Sequence, residues 1–174
     1  MSALTFTLKK TLAQKLDVAG LTPDLLADKS PAEIAATPLP YGKQTLRADE
    51  VFEISGTDSS QLIFENSNAK IDYIGAGLKT GSITINGDAG AFLGFQMKQG
   101  EIVLNGNAAD FAACAMAGGL LKINGNVGDF LGAALIGDKK GMKGGTVLVS
   151  GNTGERTGDQ MRRGMILIEG NAGK

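Results

Sequence analysis

Histidine is missing from this chain: its 174 residues contain none. A Ser-His-Asp triad, an imidazole-ligated zinc and a histidine general base are therefore excluded within it. The single cysteine, Cys114, cannot hold an iron–sulfur cluster or a structural zinc. Its alanine-rich surroundings fit a small buried hydrophobe kept reduced. Catalysis would have to rest on carboxylates, lysines or residues lent by another chain. Two glycine-rich stretches invite a phosphate-loop reading, and neither sustains it. Gly75-Ala-Gly77-Leu-Lys-Thr-Gly81 has the wrong last spacing for G-x-G-x-x-G and no helical pattern after it, and Gly42-Lys43-Gln44-Thr45 misses the Walker pattern. Met97, Met116, Met142 and Met161 offer four thioethers of the kind that bind copper(I), but their apolar, periodic setting reads as core.

The elements that would position these residues come from a repeat. Five blocks share the frame G-x-x-x-[ILV]-x-G-[DN]: Gly81 to Asp88, Gly100 to Asn107, Gly119 to Asn126, Gly145 to Asn152 and Gly164 to Asn171. Their second glycines, 87, 106, 125, 151 and 170, are spaced 19, 19, 26 and 19 residues apart, so one unit carries seven extra residues, around Leu135–Gly141. A degenerate unit precedes them from Leu62. Within each frame the apolar period is two, as in Ile83/Ile85, Ile102/Leu104, Leu121/Ile123, Val147/Val149 and Ile166/Ile168, which reads as a short half-buried strand. The Asn-Gly-Asp/Asn ends read as turns tolerant of positive φ.

A 19-residue unit is too short for a strand–helix–strand crossover. The fold class expected is therefore all-β: a parallel β-helix of stacked 19-residue coils, residues 51–174, behind a small α+β capping segment, residues 1–50. Three ladders are expected along the stack. The methionines, with Leu78, and Phe92, Phe111 and Phe130 would line the core, and Asp88, Asn107, Asn126, Asn152 and Asn171 would form a ladder of mutually bonded turn amides. In the leading segment, Leu4–Leu8 alternates as a strand. Thr22-Pro23 and Ser30-Pro31-Ala32-Glu33 signal two short helices, about 23–28 and 31–36, the second with a capping box, and Pro38–Tyr41 reads as extended. The repeat stops in mid-unit at Glu169-Gly-Asn-Ala-Gly-Lys174, so more chain or another subunit is expected to complete the stack.

Seventeen basic against eighteen acidic side chains leave no excess to attract nucleic acid. No run of eighteen apolar residues exists to span a membrane, and Met1–Asp17 lacks a secretory core, so a cytoplasmic protein is expected. The outward strand positions change along the repeat: Thr84, Val103 and Lys122 give way to Leu148 and Leu167, and the neighbouring column ends in Met165. Between Asp138 and Arg163 six cations face three anions, Arg156 among them at the position where a phenylalanine is expected. Apolar residues rimmed by arginine have the composition of an interface. Leu148, Arg156, Arg162, Arg163, Met165 and Leu167 are accordingly the candidate partner contacts, with the 135–141 loop beside them.

Several of these blocks carry a family resemblance. Ser30-Pro-Ala-Glu-Ile-Ala-Ala36, Tyr41-Gly42, Val51-Phe-Glu-Ile-Ser-Gly56, Gly141-Met-Lys-Gly-Gly145 and Gln160-Met-Arg-Arg-Gly164 resemble the C subunit of formylmethanofuran dehydrogenase. They are more similar still to its bacterial counterpart, the C subunit of the formyltransferase/hydrolase complex of methylotrophs. The resemblance covers residues 30–174, and the C-terminal domain of glutamate synthase large subunits shares the glycine repeat alone. It implies a right-handed parallel β-helix and a non-catalytic scaffold among hydrolase-like and formyltransferase-like subunits. Those partners would move formyl between tetrahydromethanopterin and a methanofuran-type carrier and release formate. The carrier, the pterin and any metals would lie in partner subunits, and no catalytic, cofactor-binding or metal residue carries over to this chain. Members of the family usually continue for several more repeats.

Overall fold

The computed structural model describes residues 2–173. In chain order the elements are β1 (Ala3–Leu8), β2 (Leu16–Asp17), α1 (Pro23–Leu26), α2 (Pro31–Ala35), β3 (Pro38–Tyr41), β4 (Gln44–Arg47) and α3 (Ala48–Val51). They continue with β5 (Phe52–Ser55), β6 (Asp58–Ser67), β7 (Ile71–Asp72), β8 (Ser82–Gly87), β9 (Glu101–Asn105), β10 (Leu120–Ile123), β11 (Lys143–Val149) and β12 (Arg163–Ile168). One eight-stranded sheet has the order β12-β11-β10-β9-β8-β6-β1-β5, and a four-stranded sheet the order β4-β3-β2-β7.

This topology corrects the right-handed parallel β-helix expected from the repeat and the family resemblance. Both sheets are mixed. β5 runs antiparallel to β1, and β3 runs antiparallel to both β2 and β4. The leading fifty-odd residues are woven into the sheets rather than set beside them: β1 lies parallel to β6, and β2 parallel to β7. The physical reason is that β1 already occupies the edge of β6. The chain returning through α3 pairs as β5 with the free edge of β1, and the short link Gly56-Thr57 then carries it round the start of β1 into β6, so β5 runs antiparallel to both. Away from the main sheet the repeats are joined by the single bridges Ala89–Ala108–Val127–Thr153–Ala172 and by separate backbone hydrogen bonds, such as Phe92 N–H to the Asp110 carbonyl at 3.0 Å and Gln96 N–H to the Cys114 carbonyl at 2.9 Å, without further strands among the described residues.

The repeat register itself sets the pairing of β8 to β12. Ile83, Ile102, Leu121, Val147 and Ile166 are successive partners, as are Ile85, Leu104, Ile123, Val149 and Ile168. The seven-residue insertion is looped out without shifting this register. The first four residues of each row are fully buried, and the whole forms one apolar cluster from Leu4 to Val149, against which Met161, Ile166 and Ile168 pack. Each glycine that opens a frame turns with positive φ. At Gly100, φ is 88° and an added Cβ would sit 2.7 Å from the Gly81 carbonyl oxygen, so a side chain would meet rigid backbone as well as an unfavourable conformation.

Leu78, Met97, Met116 and Met142 are fully buried in one column, with Met161 half-buried at its end. The phenylalanines differ from expectation. Tyr73, Phe92, Phe111 and Phe130 are only half-buried. They stack face to face at 4.9, 5.0 and 4.8 Å with planes within 7°. All four adopt φ of 62–65°, which swings their rings to the margin of the fold rather than into its centre. The turn ladder also differs. Asp88, Asn107, Asn126 and Asn152 bond along their column from side chain to backbone, not from side chain to side chain. Each Oδ1 accepts the backbone N–H of the next residue in the column at 2.8–2.9 Å. The amide-to-amide ladder stands two positions earlier, where Asn124 Nδ2 donates to Asn105 and Asn105 Nδ2 to Asn86, both at 2.9 Å. Asn86 in turn donates to Glu65. Asp72, Asp110 and Asp129 hold backbone N–H groups of neighbouring repeats in the same way.

Helices α1 and α2 fall where the prolines place them, each a little shorter than expected. In α2 the capping box is complete: Glu33 N–H donates to Ser30 Oγ, and Ser30 N–H donates to the Glu33 carboxylate. Those bonds hold the Glu33 carboxyl below its usual range. Thr22 precedes α1 but makes no side-chain cap, and its buried Oγ1 has no hydrogen-bond partner among the described residues.

Candidate docking surface

The outward face of β8 to β12 is built by strand alternation. Thr84, Val103, Lys122, Leu148 and Leu167 lie in register across five strands, and Ser82, Glu101, Leu120, Thr146 and Met165 in the next column. The polar-to-apolar gradient read from the sequence thus becomes a gradient across one surface. At its β12 end Met165 and Leu167 are 49 and 51% exposed, and Leu148 beside Leu167 is half-buried. A shallow hollow of ≈ 440 Å³ runs between Lys122, Asn124, Leu148, Ser150, Leu167 and Glu169.

Of the six candidate contacts, the fold gathers four. Arg163, Met165 and Leu167 alternate along the outward side of β12, and Leu148 is the β11 neighbour of Leu167. Arg163 is also the partner of Lys143 on β11. Two like charges are thus side by side, an arrangement unfavourable unless an anion covers it. Arg162 lies at the corner before β12. Its Nη2 donates to the Lys139 carbonyl at 3.1 Å and so ties the 135–141 loop to the next repeat. Arg156 is not part of this group: it continues the aromatic column with φ 57° and stands 3.9 Å from Asp159.

A larger hollow, ≈ 550 Å³, lies at the other end of the main sheet, where Leu4, Ile34, Phe52 and Ile54 meet Lys9, Lys29, Asp49 and Glu53. Sequence reasoning missed it, because its walls come from β1, α2, α3 and β5, elements distant in the chain. Asp49 is bound there by both Arg47 Nε and Nη2 at 3.0 and 3.1 Å, which holds its carboxyl below the ordinary value. It is an anion at neutral pH and no reservoir of protons. Cys114 is fully buried, and that burial raises its thiol to about 11, far from the thiolate a nucleophile needs. Among the described residues no group of three or more Cys, Asp or Glu side chains is arranged to hold a metal ion, and no helix is long and apolar enough to cross a membrane.

No family model matches the chain. Over 86 residues it is 37% identical to the C subunit of the formyltransferase/hydrolase complex Fhc of Methylorubrum extorquens, an alignment covering 49% of this chain and 32% of that protein. Over 95 residues it is 33% identical to the C subunit of tungsten-containing formylmethanofuran dehydrogenase 2 of Methanococcus maripaludis, covering 53% of this chain and 35% of that protein. The aligned part thus spans about a third of the length of these relatives. The fold superimposes on a chain of the crystal structure of the formyltransferase/hydrolase complex FhcABCD from Methylorubrum extorquens, determined with methylofuran. The TM-score is 0.92 at 35% identity, over 96% of this chain and 63% of the other. In sequence, then, this chain is similar to the C subunits of the formyltransferase/hydrolase and formylmethanofuran dehydrogenase complexes, and in fold to a chain of the former.

Proposed function

We propose that this chain is a non-catalytic structural subunit of a cytoplasmic formyltransferase/hydrolase complex in one-carbon metabolism. It scaffolds a formyltransferase-like subunit, which moves formyl between tetrahydromethanopterin and a methanofuran-type carrier, and a hydrolase-like subunit, which releases formate. The carrier, the pterin and the metals reside in those partners. The observation that supports this reading most is the superposition of nearly the whole chain, at a TM-score of 0.92, on a chain of a complex determined with methylofuran. Leu148, Arg163, Met165 and Leu167 form the apolar, arginine-edged contact with a catalytic subunit, and Arg162 supports it from the corner.

The test is purification of the tagged chain from its own cell. The expected result is co-purification in fixed stoichiometry with the two catalytic subunits and formate release from formyl-tetrahydromethanopterin by the complex, with none from the chain alone. Turnover by a pure, metal-free preparation of this chain, or its recovery without either subunit, overturns the reading. Reversal of Arg162 and Arg163 to glutamate should weaken assembly, and Thr84→Glu on the same sheet face should not. The opposite pattern would place the contact at the wrong end of the sheet. The 33% identity to a tungsten-enzyme subunit favours a second reading, membership of a molybdenum or tungsten formylmethanofuran dehydrogenase. Tungsten or molybdenum in the purified complex would decide for it.

A further inference from the structure

The inserted loop makes a defined object. Asp138 N–H donates to the Leu135 carbonyl at 2.9 Å and Gly137 has φ 92°, the signature of a type II turn with glycine at its third position. The second position belongs to Ile136, whose side chain is 89% exposed, the most exposed of the large hydrophobic residues among those described. Among the described residues its surface is left almost entirely open. Yet the loop is held at both ends: Ala134 N–H donates to Asp159, Gly141 N–H to Gln160, and Arg162 to Lys139. An apolar residue at a turn corner gains nothing for folding, and clamping its base fixes the direction in which it projects.

Charge surrounds this corner unevenly. Lys139, Lys140, Lys143, Arg162 and Arg163 are all exposed, and Lys143 and Arg163 are strand neighbours of like sign. Residues 138–163 carry six cations and three anions, and the rest of the chain eleven cations and fifteen anions. We infer that Ile136 is an anchor side chain that enters an apolar pocket rimmed by aspartate and glutamate on a neighbouring protein subunit, with Lys139 and Lys140 of the same loop pairing to that rim. The inference rests on the subunit reading above and adds a second contact, beyond the β11–β12 face. A clamped loop orders little on binding, so anchor burial there converts efficiently into affinity.

The experiment uses the whole complex carrying either the wild-type chain, Ile136→Asp, or Lys139→Glu with Lys140→Glu. Dissociation is followed by gel filtration at falling concentration, and melting of each free chain serves as the fold control. Ile136→Asp should weaken retention on the order of tenfold or more, with an unchanged melting temperature. Reversal of the lysines should weaken it and flatten its salt dependence. A photoreactive benzoylphenylalanine at position 136 should cross-link to an acidic segment of another subunit. Equal retention of wild type and Ile136→Asp overturns this inference while leaving the subunit reading intact. Failure of the wild-type chain to assemble overturns both. Cross-linking only to a second copy of this chain, or recruitment of the loop to phosphatidylglycerol vesicles in place of a subunit, also overturns it.

Discussion

Phe92 and Phe111 lie face to face, ring centroids 5.0 Å apart and planes 7° from parallel, each on a backbone turned to positive φ. The left-handed conformation costs an L-residue roughly 1–2 kcal/mol, and a stacked aromatic pair returns roughly 0.5–1.5 kcal/mol beyond its area. Phe111, stacked on both sides, offsets its own backbone. Phe111→Ala should therefore be destabilising by about 2–4 kcal/mol, because it loses both rings and keeps the unfavourable φ. Phe111→Gly should be the less damaging truncation by about 1 kcal/mol, since glycine accepts this φ freely. Chemical denaturation of the two variants checks the order, and a more stable alanine variant would show that φ is not the cost assigned here.

Met116 is fully buried between Met97 and Met142 in the methionine column. Met116→Asp would place a carboxylate where no partner exists and should lower the melting temperature by on the order of 10 °C or prevent folding. Met116→Leu, nearly equal in volume, should cost less than about 1.5 kcal/mol. An unchanged melting temperature for the aspartate variant would remove this column from the core.

Asn126 Oδ1 accepts the Asn152 N–H at 2.8 Å, across the repeat that carries the insertion. Asn126→Asp keeps an acceptor, as Asp88 does one column-step away from Asn107, and should leave stability within about 0.5 kcal/mol. Asn126→Ala should cost about 1 kcal/mol, the net worth of an exposed-edge hydrogen bond. Hydrogen exchange should quicken at the Asn152 amide in the alanine variant only.

The Cys114 thiol is raised by burial to about 11, above its unfolded value. The folded state therefore holds its proton more tightly than the unfolded state between about pH 8.5 and 11. Stability from this group is complete below the unfolded pKa and is lost as pH rises towards 11. Native protein should resist a thiol reagent at pH 8 while urea-unfolded protein reacts at once. Cys114→Ala should flatten the alkaline limb of a stability-versus-pH curve, and an unaltered limb would assign that loss to other groups.

Much of this structure was written in local chemistry. The period-two apolar positions specify β8 to β12 because a one-residue slip would turn every isoleucine and valine outward. The 19-residue spacing specifies their register. Ser30, Pro31 and Glu33 specify the start of α2, since capping needs only neighbours in the chain. The absence of histidine and the scattered acids removed most catalytic classes on composition alone.

What the sequence by itself did not determine is everything that depends on distant segments meeting. The antiparallel pairings of β5 with β1 and of β3 with β2 follow from where β1 and β2 dock, and no local pattern records that docking. Phe92, Phe111 and Phe130 read as core because they are large, apolar and periodic. Their place at the margin is decided by a backbone dihedral that leaves no mark in residue type. Among the six candidate contacts the sequence set apart only Arg156, which stands at a phenylalanine position of the repeat. Strand alternation puts Arg163, Met165 and Leu167 on one face, whereas the turn before it carries Arg156 away to the aromatic column. Composition could count those side chains, but only the folded backbone gives each a direction, because a side chain's direction is fixed by φ, ψ and strand register together.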